Sequence, residues 1–435
     1  MIRVQAQYTK AIGWEIKGVA YNPTSIGTDQ LDPAAPAYDI PQITALGANT
    51  ISTYNLGRFE WGSYTDLTNG EDFYNGLYPV AETNNLKIIV GYFSNSTIDW
   101  TDPIRVAKVT SQYQNLVLKA KDRPSTIMYL LGNEIFEKLA SDPQKKAYAQ
   151  WLGQMTDWTH TNDPNHLVTY GDNAAHAGLE WLKTYVPNLD IYSLNNYEWE
   201  TYEQLSNILA YDLSAWPGKS LLLHEWGVDS WDVNKWTEDE SVKANRITQL
   251  ADYLKQAYAN PNYPFLGGIF FEYNDQWDKI GSANTQDPDH GWPWLCLTCF
   301  DHSANEDYWG ITRSTVSGQA AGRAKKKAYA TLQQAWGGTS NSDTTAPQIS
   351  ITNPANNSFV FPRTKITITA AASDNLGITK VQFYANNSLL CTDLGPPYSC
   401  IWTVPKRAAS QYTLSAMAYD AAGNNTRAEI VVNVK

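Results

Sequence analysis

Thr126-Ile-Met-Tyr-Leu-Leu-Gly-Asn-Glu134 runs apolar for the length of a strand and then stops abruptly in Gly-Asn-Glu. A strand buried on both faces, as in a parallel sheet, reads as such an unbroken hydrophobic run. A carboxylate beside a carboxamide at its C-terminal end stands where parallel α/β barrels hold their reactive groups. A second stretch, Ser220-Leu-Leu-Leu-His-Glu-Trp-Gly227, ends the same way in Glu225.

Around these two runs the chain alternates. Strand-like segments at 15–21, 49–54, 87–93, 126–134, 166–170, 190–197, 221–226 and 266–273 are separated by stretches with helical apolar spacing at 38–46, 71–85, 103–122, 143–160, 179–185, 202–215 and 241–259. A last helical stretch runs from Gly318 to Trp336, after a long irregular segment rich in Asp, Gly and Trp. Eight strands alternating with eight helices predict a (β/α)8 TIM barrel. A doubly wound open sheet is the rival; its glycine-rich phosphate turn after the first strand is not found here.

Beyond Trp336 the pattern changes. Residues 337–345 are small, polar and without period, and read as a linker. From 346 to 435 only short strands follow, at 349–352, 365–369, 380–384, 412–418 and 429–434, separated by turn residues. That predicts an all-β, immunoglobulin-like sandwich. The 435 residues therefore divide into a barrel domain at 1–336, a linker at 337–345 and a sandwich at 346–435.

Composition narrows the partners. Hydrophobic content of 43% against 17% charged allows a sizeable core. A net charge of −12 argues against nucleic acid or an anionic membrane as partner. No run is long and apolar enough to span a membrane. The chain holds 17 Trp and 27 Tyr, side chains that stack on the C–H faces of sugar rings and also fill barrel cores. Four cysteines form two close pairs, Cys296/Cys299 and Cys391/Cys400. Only one pair has C-x-x-C spacing and the other lies in the sandwich, so two local disulfides are expected rather than a zinc site. Disulfides imply an oxidising compartment, hence a secreted or cell-surface protein. No signal peptide is visible after Met1, which fits a chain whose targeting segment has been removed or one exported another way. A monomer is expected, with no cofactor and no metal; the six histidines show no ligand spacing.

Two strand-terminal glutamates in one parallel barrel suit double-displacement cleavage of a glycosidic bond: one carboxyl protonates the leaving oxygen, the other attacks the anomeric carbon. Glu134 and Glu225 are the candidate pair. The bland alternative is a glutamate that merely favours a helix N-terminus. Asn133 is placed to hold a sugar hydroxyl. Tyr197, at the end of the neighbouring sixth strand, is either an ordinary rim tyrosine or the donor that keeps Glu225 ionised. His224 is either a core histidine or part of the site. Trp277 is a candidate floor for a sugar ring, and Trp226, Tyr54 and Asn195 are further substrate-binding candidates at strand ends. Glu272 and Asp275 are either solvated loop acids or hydroxyl ligands. The sequence lacks Gly-x-Ser-x-Gly, which disfavours a serine hydrolase, and His-Glu-x-x-His, which disfavours a zincin.

These residues resemble clan A glycoside hydrolases, which pair an Asn-Glu at strand 4 with a Glu at strand 7. Asn133-Glu134 and Glu225 match that pattern. Ile16-Lys-Gly-Val-Ala-Tyr-Asn-Pro23, Leu46-Gly-Ala-Asn-Thr-Ile-Ser-Thr-Tyr54 and Gly132-Asn-Glu-Ile135 are similar to β-1,3-glucanases and glucanosyltransferases. Asp190-Ile-Tyr-Ser-Leu-Asn-Asn-Tyr197 and Tyr308-Trp-Gly-Ile311 are closer to the family 2 glycosidase barrel. The resemblance implies a retaining hydrolase of a β-linked glucan, β-1,3-glucan first, with Glu134 as acid/base and Glu225 as nucleophile. The alternatives are a transglycosylase with the same residues or a non-catalytic carbohydrate-binding surface protein. One departure stands out: many clan members carry Arg after the strand-2 Asn-Thr-Ile, and here that position is Ser52. Ser373-Asp-Asn-Leu-Gly-Ile-Thr-Lys-Val-Gln-Phe-Tyr384 and Asp420-Ala-Ala-Gly-Asn424 resemble bacterial immunoglobulin-like modules.

Overall fold

The computed structural model describes residues 10–23, 31–54, 68–92, 94, 96–276, 286, 296–299, 301, 304–313, 323–337, 346–374, 378–393, 397–406, 411–420 and 424–435. The chain forms two compact units, the first of residues 1–318 and 324–338 and the second of residues 319–323 and 339–435. The expected linker lies, apart from Gly337, outside the described residues, as does Trp277.

In the first unit, strands and helices alternate as β1 (Ile16–Ala20), α1 (Ala35–Ala45), β2 (Thr50–Ser52), α2 (Thr68–Thr83), β3 (Lys87–Gly91), α3 (Pro103–Ala120), β4 (Thr126–Asn133), α4 (Asp142–Asn162), β5 (Leu167–Asn173), α5 (Leu179–Tyr185), β6 (Ile191–Asn195), α6 (Tyr202–Ala215) and β7 (Ser220–Trp226). A hairpin, β8 (Trp231–Asp232) and β9 (Thr237–Glu238), precedes α7 (Glu240–Ala259) and the eighth barrel strand, β10 (Phe265–Phe270). Short strands β11 (Thr312–Arg313) and β12 (Ala324–Lys325) pair before α8 (Lys327–Trp336). The eight barrel strands close in the order β1-β10-β7-β6-β5-β4-β3-β2. All their pairings are parallel, as a (β/α)8 barrel requires.

Local signals explain the helix starts. Asp102 caps α3, its side chain accepting from the N–H of Ile104 at 2.9 Å ahead of which Pro103 opens the first turn. Thr201 and Gln204 form a capping box on α6. Asp239 caps α7. The last helix begins later than expected, at Lys327 rather than Gly318. The side chain of Lys326, just before it, is fully buried between Glu238 and Asp275, which pins its backbone in an extended conformation.

Side chains separate into two layers. Ile16, Ala20, Ile89, Met128, Leu130, Ile191, Leu222, Leu266 and Ile269 fill the barrel's interior. A larger cluster, including Tyr129, Leu131, Tyr148, Trp151, Leu221, Leu223, Trp226 and Phe270, packs the barrel wall against its helices. The interior plug leaves the C-terminal strand ends as the place where polar groups gather.

The second unit is a two-sheet sandwich. One sheet has the order β13-β15-β18 and the other β14-β20-β19-β16-β17, built from β13 (Gln348–Asn353), β14 (Phe359–Val360), β15 (Lys365–Ser373), β16 (Ile378–Ala385), β17 (Ser388–Asp393), β18 (Tyr398–Thr403), β19 (Gln411–Asp420) and β20 (Asn425–Val434). Three of these strands, β14, β17 and β18, are additional to the five expected. Both expected disulfides are present, Cys296–Cys299 and Cys391–Cys400, the latter joining β17 to β18 of the facing sheet. Its short loop gives the bond a modest entropic effect on the unfolded chain.

Candidate active site

Two irregularities in strand register build the site. Between Leu130 and Asn133, β4 advances one residue more than β5, and the register shifts there. Leu130 faces the interior and Leu131 the wall. Gly132 also faces outward: a Cβ on it would come within 2.3 Å of the Tyr148 hydroxyl, so the bulge needs glycine at this position. Asn133 then points inward. A second shift separates Leu194/Leu223 from Asn195/Glu225 on β6 and β7. Because of it, His224 and Glu225 both face the barrel mouth and Trp226 turns outward. Gly171 on β5 leaves the room that Asn133 occupies; a Cβ there would lie 2.3 Å from Asn133 Oδ1.

The side chains so placed form one directed hydrogen-bond network. Ser52 Oγ lies 2.9 Å from His224 Nε2, and His224 Nδ1 lies 3.3 Å from Asn195 Oδ1. Asn195 Nδ2 donates to Asn133 Oδ1 at 3.1 Å and to Glu134 Oε1 at 2.9 Å. Asn133 Nδ2 donates to Glu225 Oε1 at 3.2 Å. Tyr197 donates to Glu225 Oε2 at 2.8 Å. With Asn195 Oδ1 accepting, the histidine proton sits on Nδ1 and Nε2 accepts from Ser52. Burial pushes the His224 imidazole down to about 3, so it is neutral at ordinary pH. Three donors in this network, Asn195 Nδ2, Asn133 Nδ2 and the Tyr197 hydroxyl, end on the two carboxylates. The hydrogen-bonded path through Asn133 and Asn195 holds those carboxylates within roughly 12 Å of each other.

The two glutamates have different surroundings. Glu225 is 7% exposed and receives donors on both oxygens. Glu134 follows the strand in a left-handed conformation (φ 52°), and its side chain is 26% exposed, with the Lys138 ammonium at 3.8 Å. Burial, then the charge of Glu225, holds the Tyr197 hydroxyl well above the usual tyrosine range, so it remains a donor. Tyr54 is raised by the same two causes in the same order, and also feels Glu272 and Glu134. Its hydroxyl also interacts with the Glu225 carboxylate, though not in the geometry of a well-formed hydrogen bond. Its ring lies edge-on to His224 at 5.3 Å and to Phe271 at 6.4 Å. Glu272, at the end of the eighth barrel strand, is 1% exposed and adds a third carboxylate.

Thus Asn133, Glu134, Asn195, Tyr197, His224 and Glu225 converge, with Tyr54 and Glu272 beside them. His224 sits behind Asn195 rather than facing a ligand. Two expected residues do not belong. Trp226 is fully buried in the wall, its ring edge-on to Phe270 at 5.0 Å; the β7 bulge reverses its side. Asp275 is buried too, accepting from Gly310 N at 2.9 Å and pairing with Lys326 Nζ at 2.6 Å, so it is a structural ion rather than a hydroxyl ligand.

Sequence reasoning missed the support behind Tyr197. Trp309 packs edge-on against it at 4.9 Å and against Phe271 at 5.8 Å. The Cys296–Cys299 disulfide belongs to the same cluster, and Thr298 N donates to the Tyr197 carbonyl at 2.9 Å. Lys243 Nζ, fully buried, donates to the carbonyls of Tyr308, Trp309 and Gly310 at 3.2, 2.7 and 2.9 Å. Burial first, then Lys326, pushes its ammonium down to about 7. The signal was a lysine inside the buried stripe of α7, alongside Ala244, Ile247 and Leu250. Among the described residues no cluster of His, Cys, Asp and Glu suits a metal ion.

Residues 71–259 match the profile described as "Glycosyl hydrolases family 2, TIM barrel domain", and residues 347–416 match "Bacterial Ig domain". No curated protein matches the chain. Among solved structures, β-glucuronidase 2 of Bacteroides uniformis, covalently bound to cyclophellitol-6-carboxylate aziridine, aligns with 97% of this chain and 46% of its own at 14% identity and TM-score 0.51. The FMN-binding β-glucuronidase of Facaelibacterium prausnitzii L2-6 aligns with 98% and 57% at 15% identity and TM-score 0.52. The family 2 β-galacturonidase of Eisenbergiella tayi, bound to galacturonate, aligns with 74% and 51% at 13% identity and TM-score 0.50. The chain therefore spans about half the length of these structures. At such identities the likeness is one of fold: a TIM barrel, part of which matches the family 2 glycosyl hydrolase profile, followed by a segment that matches the bacterial immunoglobulin-like domain.

Proposed function

We propose that the barrel is a retaining glycoside hydrolase acting on a β-linked glycan, with Glu225 as nucleophile and Glu134 as acid/base. The observation that carries this is the joining of two strand-end glutamates by Asn133 and Asn195, with Tyr197 donating to the buried one. In the first step a Glu225 oxygen attacks the anomeric carbon while Glu134 gives its proton to the departing glycosidic oxygen. In the second, Glu134 takes a proton from water, whose oxygen displaces the Glu225 carboxylate. Glu225, with a donor on each oxygen to offset its burial, suits the charged role. Partly exposed Glu134 suits exchange of its proton with water.

The finer specificity is argued from charge. The expected preference for β-1,3-glucan has no support among the matched structures, whose names are those of uronidases. A uronate would bring a fourth carboxylate against Glu134, Glu225 and Glu272. Among the described residues the cation beside the pair is Lys138, already 3.8 Å from Glu134. A neutral β-linked sugar meets no such repulsion. The two disulfides and the bacterial immunoglobulin-like domain support action outside the cell. No described helix is long and apolar enough to cross a membrane.

The test is Glu225→Ala with and without azide, on an aryl glycoside and on neutral oligosaccharides. Turnover should vanish without azide and return with it as the glycosyl azide of inverted configuration. Wild-type product read by NMR should keep the substrate's anomeric configuration. Full activity in Glu225→Ala, or an inverted product from the wild type, would defeat the proposal.

A further inference from the structure

The connection leaving the seventh barrel strand carries a feature the proposed reaction does not use. Trp231-Asp-Val-Asn-Lys-Trp236 closes the β8–β9 hairpin, with Trp231 opposite Glu238 and Asp232 opposite Thr237. Trp236 is 55% exposed, and it alone among the described tryptophans presents so much of its ring to solvent. Its backbone is left-handed, with φ at 54°, a conformation a bulky residue keeps only where the surroundings impose it.

The surroundings do impose it. Asp232 Oδ1 accepts from the N–H groups of Asn234 and Lys235 at 3.0 and 3.1 Å. Lys235 pairs with Asp232 at 2.8 Å and Asp239 at 3.2 Å, and Val233 N donates to Asp301 at 2.9 Å. The hairpin is thus braced in a shape that costs backbone strain and keeps an indole in water.

The exposed ring stands at the same end of the barrel as the site. Trp236 stands edge-on to Trp231 at 5.7 Å, and Trp231 lies against Tyr308 at 4.9 Å. The next residue, Trp309, packs against Tyr197 at 4.9 Å, and Tyr197 donates to Glu225. Trp236, through Trp231 and Tyr308, and Tyr197, through Trp309, thus both pack on the connection that follows the eighth barrel strand, at the barrel's C-terminal face. We propose that Trp236 is a distal sugar platform: a subsite, more than one ring removed from the bond that breaks, that stacks a pyranose of a β-linked oligosaccharide. A flat, solvent-facing indole offers the apolar C–H face of a sugar a preorganised partner and leaves the ring hydroxyls in water.

This inference rests on the glycosidase proposal for its location and is tested separately from it. Trp236→Ala, Trp236→Phe and Trp236→Gly are made in the full chain. Each is assayed on an aryl β-monoglycoside and on neutral β-linked glucose and mannose oligosaccharides of increasing length. The ratio of kcat/KM on the long oligosaccharide to that on the monoglycoside should fall roughly five- to tenfold in Trp236→Ala and less in Trp236→Phe. Trp236→Gly should lose the same selectivity as Trp236→Ala. Titration of long oligosaccharides into Glu225→Ala by calorimetry reads the subsite without turnover and should weaken when Trp236→Ala is added. A ratio that does not change with chain length, or a wild-type dimer that Trp236→Ala dissolves, would each overturn the assignment. Absence of wild-type turnover together with Trp236-dependent binding would instead remove the hydrolase proposal and leave the platform standing.

Discussion

Removing one hydroxyl, in Tyr197→Phe, isolates what holds Glu225 ready to attack. The phenol donates to Glu225 Oε2 at 2.8 Å, in a place where Tyr197 is 8% exposed. A hydrogen bond to a charged partner contributes about 1.5–3 kcal/mol, and burial leaves little solvent to screen it. The bond favours the ionised carboxylate over the protonated one. Its loss should move the acidic limb of kcat/KM upward by about 1–2 pH units, because one unit corresponds to about 1.4 kcal/mol. Asn133 still donates to the other oxygen, which sets the lower end of that range as the more realistic expectation. Departure of Glu225 from the glycosyl-enzyme also loses its donor, so kcat on the pH plateau should fall at least about tenfold where that step limits. The assay is a pH–rate profile on an aryl glycoside beside Tyr54→Phe, whose hydroxyl also interacts with Glu225 but without the well-formed geometry of the Tyr197 bond and should move the limb less. An acidic limb unchanged in Tyr197→Phe, or displaced equally in the two variants, would refute this account of Glu225.

Further outcomes follow from the support around the pair. Gly171→Ala places a Cβ 2.3 Å from Asn133 Oδ1 and should cost activity tenfold or more while the melting temperature changes little, since the displaced amide joins the two carboxylates. His224 has its imidazole held down at about 3 against an ordinary 6.5. Between those values the unfolded chain takes up a proton that the folded chain refuses, so this contribution is complete above pH 6.5 and is lost as pH falls toward 3, by up to about 5 kcal/mol. Urea midpoints should accordingly fall less steeply over that window in His224→Gln than in the wild type; parallel curves would contradict the assignment. Lys243→Met leaves the carbonyls of Tyr308, Trp309 and Gly310 without their buried donor and should destabilise by about 3–5 kcal/mol in thermal melts. Its surviving folded fraction should also show reduced kcat, through a loosened Trp309 behind Tyr197.

The barrel was legible because its strands are buried on both faces. The run at 126–134 needed no partner information to be read, and neither did Glu134 at its end. What could not be read was where the register slips. The bulges before Asn133 and at His224–Glu225 depend on how β4 fits β5 and how β7 fits β6, and strand alternation without them puts Trp226 in the site. The Lys243 tripod and the Lys326–Asp275 pair join residues far apart in sequence, so each lysine alone looks like a surface charge. In the sandwich, Tyr398, Cys400 and Trp402 do alternate inward along β18, a period-two signal present in the sequence. Strands β14 and β17 offered less: two residues, or a run interrupted by polar positions. The replacement of the family's strand-2 arginine became intelligible only with coordinates, where Ser52 and a neutral His224 carry a chain of donors toward the carboxylates instead of a charge.

Trapping the covalent intermediate tests the central claim most directly. A slow-turnover 2-deoxy-2-fluoro glycosyl substrate, of whichever neutral sugar the wild type cleaves, should add one sugar mass to the protein. Peptide sequencing by mass spectrometry should then place that mass on Glu225. The mass on Glu134 or Glu272, or no adduct while the product anomer is inverted, would contradict the assignment of nucleophile and mechanism.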